Sequence, residues 1–196
     1  MKKNKKIILV LVAVVVLFFV GKYVYDMHIN HNFETITEGK VYKSGVIPPD
    51  EIADYVNKYH IKSIVDLRFP GTADLVNNPE LPSELVAEKE AVGKIPGVNY
   101  FNNGSDQVPN AQNLDRFFKI MDNPDNYPVL IHCYHGVGRA EMYSALYRIE
   151  YENFSNEDAR HAVRPIIKWG AFDDGTPKGE YLKAYQSRKQ QAEQKP

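Results

Sequence analysis

The sequence predicts an α/β fold: a central, mostly parallel sheet flanked by helices on both faces, preceded by an N-terminal transmembrane anchor. Three observations predict it. Short apolar or β-branched runs at 61–67 and 128–132 alternate with helical patterns, which is the signature of a parallel sheet covered on both sides. The run Val129-Leu130-Ile131 is apolar at every position, as a buried strand requires. Finally, Lys2, Lys3, Lys5 and Lys6 precede an unbroken apolar run from Ile7 to Val20.

That first run is shorter than the roughly 20 residues that span a bilayer. Lys22 can snorkel and Tyr23 and Tyr25 can sit in the interface, so membrane contact is expected through residues 7–25. No small-x-small cleavage site follows, and there is no lipobox, because Cys133 is the only cysteine. An uncleaved signal anchor is the favoured reading, and secretion after signal cleavage is the alternative. Four lysines before the segment against Lys22 after it place the N-terminus in the cytoplasm and the rest of the chain outside it. Residues 1–31 therefore read as signal anchor and linker (the linker from residue 22), 32–188 as the folded domain, and 189–196 as a polar, disordered tail.

Within the domain, residues 32–44 alternate apolar positions around Gly39, an extended pair at the sheet edge. Pro48-Pro49-Asp50-Glu51 opens a helix through Tyr59, since proline and acids suit a first turn. A strand at 61–67 follows, then a helix at 82–94 and a short strand at 97–101. Residues 111–121 form an amphipathic helix with Leu114, Phe117, Phe118 and Met121 on one face. The central strand at 128–132 leads to a helix at 139–151. Ser155 caps a helix at 156–167, and a last helix lies near 180–188.

Composition excludes several classes. With 196 residues, 24 basic against 25 acidic side chains and a net charge of −1, the chain lacks the basic face of a nucleic-acid binder. One cysteine rules out an internal disulfide framework and a cysteine-rich zinc site. The six histidines show no metal-ligand spacing, and neither a metal nor an organic cofactor is implied where loop dipoles and Arg139 supply the charge stabilisation.

The chemistry concentrates in His132-Cys133-Tyr134-His135-Gly136-Val137-Gly138-Arg139, between the central strand and its helix. The Cys-x5-Arg spacing wraps successive backbone N–H groups around one point, and the helix aims its positive end there. Such a field favours Cys133 as a thiolate nucleophile. Gly136 and Gly138 suit the left-handed or crowded torsions of an anion cradle. Tyr134, His135, Gly136, Val137 and Gly138 are thus the candidate phosphate-binding backbone, and Arg139 offers a planar fork of donors to two phosphate oxygens. In open α/β sheets ligands sit outside the carboxyl ends of the strands. Three loops leave there, from Arg68 onward, at 102–109 and at 133–139. Displacement at phosphorus needs an acid for the leaving oxygen, and Asp106 in Gly104-Ser105-Asp106-Gln107-Val108-Pro109 is the best-placed carboxylate. Its alternative reading is an exposed turn residue or a helix-start acid. Asp115 lies inside a helical pattern, and Asp66 braces a strand end. Arg68 either recruits an anion or pairs with a neighbouring carboxylate. His132 orients the loop, and Lys168 and Trp169 line the mouth or pack on the surface.

His132-Cys133-x5-Arg139 with its internal Gly-Val-Gly resembles the signature loop of the cysteine-dependent protein tyrosine and dual-specificity phosphatases. Gly39-Lys40-Val41-Tyr42-Lys43-Ser44-Gly45 and Ile61-Lys62-Ser63-Ile64-Val65-Asp66-Leu67-Arg68 look like segments of the small bacterial members, and the resemblance covers about residues 33–170. It implies a protein tyrosine phosphatase-like fold, a phosphocysteine intermediate and Asp106 as general acid. The implied substrate is a phosphotyrosine or dual-specificity phosphoprotein, with a small phosphomonoester or inositol polyphosphate as the alternative. One departure stands out. The family's Ser or Thr after the signature arginine is Ala140 here, followed by Glu141 where glycine is common. Without that hydroxyl the second chemical step should slow, and a silent phosphate-binding module becomes a rival reading. A rhodanese-like sulfurtransferase fits the loop poorly, and a redox sensor would need a thiol from another molecule.

Overall fold

Five strands form one mixed sheet in a computed structural model that describes residues 2–69, 82–162 and 170–194. They are β1 (Glu34–Thr37), β2 (Val41–Ser44), β3 (Ser63–Asp66), β4 (Asn99–Asn102) and β5 (Val129–His132), in the order β1-β2-β5-β3-β4. β1 runs antiparallel to β2 at the edge, and every other neighbouring pair is parallel. The register sets His132 beside both Ser44 and Asp66, and Asp66 beside Asn102. Four strands therefore end on one line, and the loops that leave them start side by side.

Alternation along each strand sorts the two cores. Val41, Val65, Val129 and Ile131 face α4 (Ala111–Met121) and α5 (Arg139–Tyr151), packing with Phe117, Met121, Ala140 and Tyr143. Tyr42, Ile64 and Leu130 face the other way, onto Ile52 and Val56 of α2 (Ile52–Tyr59) and Val92 of α3 (Pro82–Gly93). α5 is buried on its far side too: Met142, Leu146 and Ile149 meet Ala159 of α6 (Asn156–Ala162), Phe172, and Leu182 of α7 (Pro177–Ala184). A helix enclosed around its girth is a rigid mount for whatever its N-terminus holds.

The structure departs from the sequence reading at both ends. The N-terminal helix α1 spans Lys2–His28, so residues 22–28 continue it instead of forming a linker. No proline interrupts that stretch, and the turn comes only where His31 and Asn32 adopt positive φ of 51° and 49°. α1 is long and apolar enough to cross a membrane; its most apolar 18-residue window has a mean hydropathy of 2.9, and none of that window is buried in the domain. The single helix expected near 180–188 is two. α7 starts behind a Thr176 cap with Pro177 in its first turn, and α8 (Arg188–Glu193) starts behind a Ser187–Gln190 capping box. Much of the expected disordered tail is therefore helical, anchored by Arg188 to Asp122 at 2.7 Å and to Glu150 at 3.0 Å. Two prolines delay α2, because residues 48–51 make a turn in which Pro48 O accepts from Glu51 N and Ile52 N. The expected helix at 156–167 is present as α6, and its remainder, with Lys168 and Trp169, lies outside the described residues.

Candidate active site

Cys133 follows β5 directly and is buried, while Arg139 is the first residue of α5. The intervening loop is shaped from its outer side. Val46 N donates to Tyr134 O at 2.9 Å, Asn32 Nδ2 to His135 O at 2.7 Å, and Lys43 Nζ to Gly136 O at 3.2 Å. Three successive carbonyls are thereby held outward. Because the C=O and N–H of a trans peptide point in opposite directions, the N–H groups of His135, Gly136 and Val137 are turned to the inner side, where α5 begins. This is the geometry of an anion cradle. Gly136 is required twice over: its φ is +74°, and a Cβ there would lie 2.5 Å from Gly45 N and 2.6 Å from Ser44 C. Tyr134 and His135 are half-buried and Val137 is exposed on the rim. Burial, and then the charge of Arg139, push the pKa of His135 down, so the one imidazole in the loop is neutral near pH 7.

Lys43 is almost wholly buried, and its ammonium also meets Glu34 at 3.1 Å and Glu141 at 3.8 Å. A buried ammonium needs such partners, and this gives Glu141 a structural reason to stand where the family commonly has glycine.

Arg139 ties the three loops together. Its Nη1 donates to Leu67 O at 2.7 Å and approaches Ser105 O at 3.5 Å, joining the loops after β3 and β4 to the one after β5. The loop carrying Asp106 is itself braced. Asn103 N donates to Asp66 O at 2.8 Å, Ser105 N to Leu67 O at 3.1 Å, and Asn113 Nδ2 to Gly104 O at 2.8 Å. Asn113 also closes a capping box with Asn110 at the start of α4. Asp106 sits exposed on this braced loop. Cys133, Arg139 and the Asp106 loop thus share one edge of the sheet.

Beneath Cys133 lies a charged cluster closed off from solvent. Arg68 donates to Asp66 through Nε at 3.0 Å and Nη2 at 2.9 Å, and Nη2 also bonds Glu88 of α3. His132 Nε2 lies 2.9 Å from Glu88 Oε1 and 3.7 Å from Asp66 Oδ1, and Tyr100 donates to Asp66 Oδ2 at 2.5 Å. Arg68, whose anion-recruiting reading needed an open guanidinium, is fully buried and engaged here. Burial alone would lower the His132 pKa, but Glu88 and Asp66 outweigh it and raise it. Burial would likewise raise Asp66, and His132 with Arg68 lowers it instead. Asp66, Glu88 and His132 approach closely enough to ligate a cation, but the Arg68 guanidinium already supplies positive charge to both carboxylates.

Sequence reasoning missed several neighbours of the loop. Glu88 had a signal, being a carboxylate on the same face of α3 as buried Leu85 and Val92. Lys43 lay in the family-like segment 39–45, with nothing there to mark its partner, and Asn32 had no signal, because it meets the loop only through tertiary folding. The same holds for Lys178 of α7, which bonds Gln107 at 3.1 Å beside Gly138.

Residues 21–175 match the family described as "DSP-PTPase phosphatase fused to NAD+ Kinase". No curated protein sequence matches. Solved structures with the same fold include the core catalytic domain of the PP-IP phosphatase SIW14 from S. cerevisiae, at 21% identity and a TM-score of 0.56, covering 79% of this chain and 85% of that one. TpbA of P. aeruginosa is similar at 18% identity and a TM-score of 0.58, covering 80% and 86%.

Two outcomes follow from this geometry. Gly136→Ala should abolish vanadate binding measured by calorimetry, because the added methyl meets backbone atoms that cannot move aside. His132 has a folded pKa above its unfolded one, so its contribution to stability is fully present below about pH 6.5 and is lost as pH rises through the folded value. Urea midpoints should therefore fall from neutral pH upward, and His132→Asn should flatten that fall.

Proposed function

Because the chain belongs to the DSP-PTPase phosphatase family, whose members are cysteine-dependent phosphatases, we propose that it hydrolyses phosphomonoesters through a phosphocysteine formed on Cys133. The observation that carries this reading is the outward tethering of the Tyr134, His135 and Gly136 carbonyls around a cysteine at a helix N-terminus. The 134–138 backbone and Arg139 bind the phosphoryl oxygens and stabilise charge as it develops. The Cys133 thiolate attacks phosphorus, the ester P–O bond breaks, and Asp106 gives its proton to the departing oxygen. Asp106, now a carboxylate, takes a proton from the water that attacks the phosphocysteine, and phosphate leaves as the thiolate returns. Arg68 and His132 act below the site as positioning residues.

A phosphotyrosine or dual-specificity phosphoprotein is the favoured substrate, supported by the similarity to TpbA, which has been solved with phosphotyrosine bound. The similarity to SIW14, a PP-IP phosphatase, supports the inositol phosphate alternative. α1 acts as a membrane anchor in this reading, with the domain extracytoplasmic. A reporter fused after Pro196 that is active only in the cytoplasm would overturn that topology. A second reading, phosphate binding without turnover, has Ala140 in its favour, since no hydroxyl stands there to assist the thiolate's departure.

The test is hydrolysis of an aryl phosphate by the full-length protein. Activity should vanish in Cys133→Ser and fall by about 10²-fold or more in Asp106→Asn; turnover retained in Cys133→Ser would sink the proposal. Rapid-quench kinetics should show a burst followed by slow release, and Ala140→Ser should raise the steady-state rate. A burst-free time course with no gain on substitution would remove the role assigned to position 140.

A further inference from the structure

Lys178 stands at the rim of the phosphate loop, yet the reaction as described leaves it without a task. It reaches the site from α7. Its Nζ donates to Gln107 Oε1 at 3.1 Å and lies 4.9 Å from the centre of the Phe172 ring. A Cβ on Gly138 would be 2.8 Å from Gln107 Oε1 and 3.5 Å from Lys178 Nζ, so this pair closes directly over the C-terminal end of the loop. An ammonium has three donors, and a neutral amide oxygen takes one. Among the described residues no carboxylate forms an ion pair with Lys178. Burial lowers the pKa of Lys178, and Glu141, which acts against this through space, is already paired with Lys43. A half-buried cation without a contact partner of opposite sign is costly unless an anion arrives to meet it.

The side on which it stands is informative. Gln107 immediately follows Asp106, the residue placed to protonate the leaving oxygen. Lys178 is therefore tethered to the loop that carries Asp106, while Arg139 and the loop backbone take the transferred phosphoryl group.

We propose that Lys178, positioned by Gln107, binds a second anionic group carried on the leaving side, which directs the site toward substrates with another phosphate next to the scissile one. This rests on the phosphatase reading and deepens it. His135 cannot substitute for Lys178, because it is neutral and belongs to the cradle itself.

The probes are inorganic phosphate and methylenediphosphonate, a bisphosphonate that resists hydrolysis. Their dissociation constants would be measured by calorimetry on the full-length protein, on Lys178→Met and on Lys178→Arg. The parent should bind the bisphosphonate at least about tenfold more tightly than phosphate, the size of one charge-assisted hydrogen bond. Lys178→Met should bring that ratio close to one, and Lys178→Arg should keep most of it. A parent ratio near one, a ratio unmoved by Lys178→Met, or equal loss of both anions in that variant would each overturn the proposal. Failure of the phosphatase reading is seen separately, as no turnover of the aryl phosphate, while the two binding constants still report on Lys178.

Discussion

The site depends on peptide orientation. A loop of six residues between a strand and a helix has many conformations, and only those with converging N–H groups hold an anion. Here convergence is imposed from behind, by donors from three different places: the backbone after β2, a lysine within β2 and an asparagine just before β1. Each takes one carbonyl, and the rigidity of the trans peptide does the rest. Gly136 lets the loop come close enough to β2 for these bonds to form, and the burial of α5 keeps the other end of the loop still.

The charged cluster below Cys133 is the second support. Buried ion pairs are weak evidence for stability, because desolvation offsets much of their attraction. Their value here is geometric. Asp66 and His132 are the last residues of adjacent strands, and Arg68 and Glu88 lock them together and to α3. The strand ends, and hence the starting points of two loops, cannot slide past one another without separating charges in a dry interior.

Much of this was legible in the sequence because it is written locally. Strand periodicity, the apolar face of α4 and the Cys-x5-Arg loop each occupy a single short window. The strand order was not written there; it emerges only in the folded sheet, where the loop bearing Asp106 meets Arg139 through Ser105. Residues whose work is tertiary left no such mark. Nothing in the sequence singles out Asn32 or Lys178, and only the folded chain shows them beside the loop. α8 was missed for a different reason: its polar composition looked like a tail, and its helix is held by Arg188 reaching Asp122 and Glu150, not by a hydrophobic face.

The exit of α1 adds a consequence for release of the domain. His31 O accepts from Gly45 N at 2.7 Å, His31 pairs with Glu51 at 2.9 Å, and Asn32 holds the His135 carbonyl. His31 and Asn32, three and four residues past the end of α1, therefore brace the loop that follows β5 and the chain beside it. A protease cutting before His31 would shed a domain with its cradle intact. One cutting after Asn32 would shed the same mass of protein with one of the three carbonyls free to turn inward. The position of a cut in this short segment would thus decide whether the separated domain keeps all three carbonyl tethers or loses one.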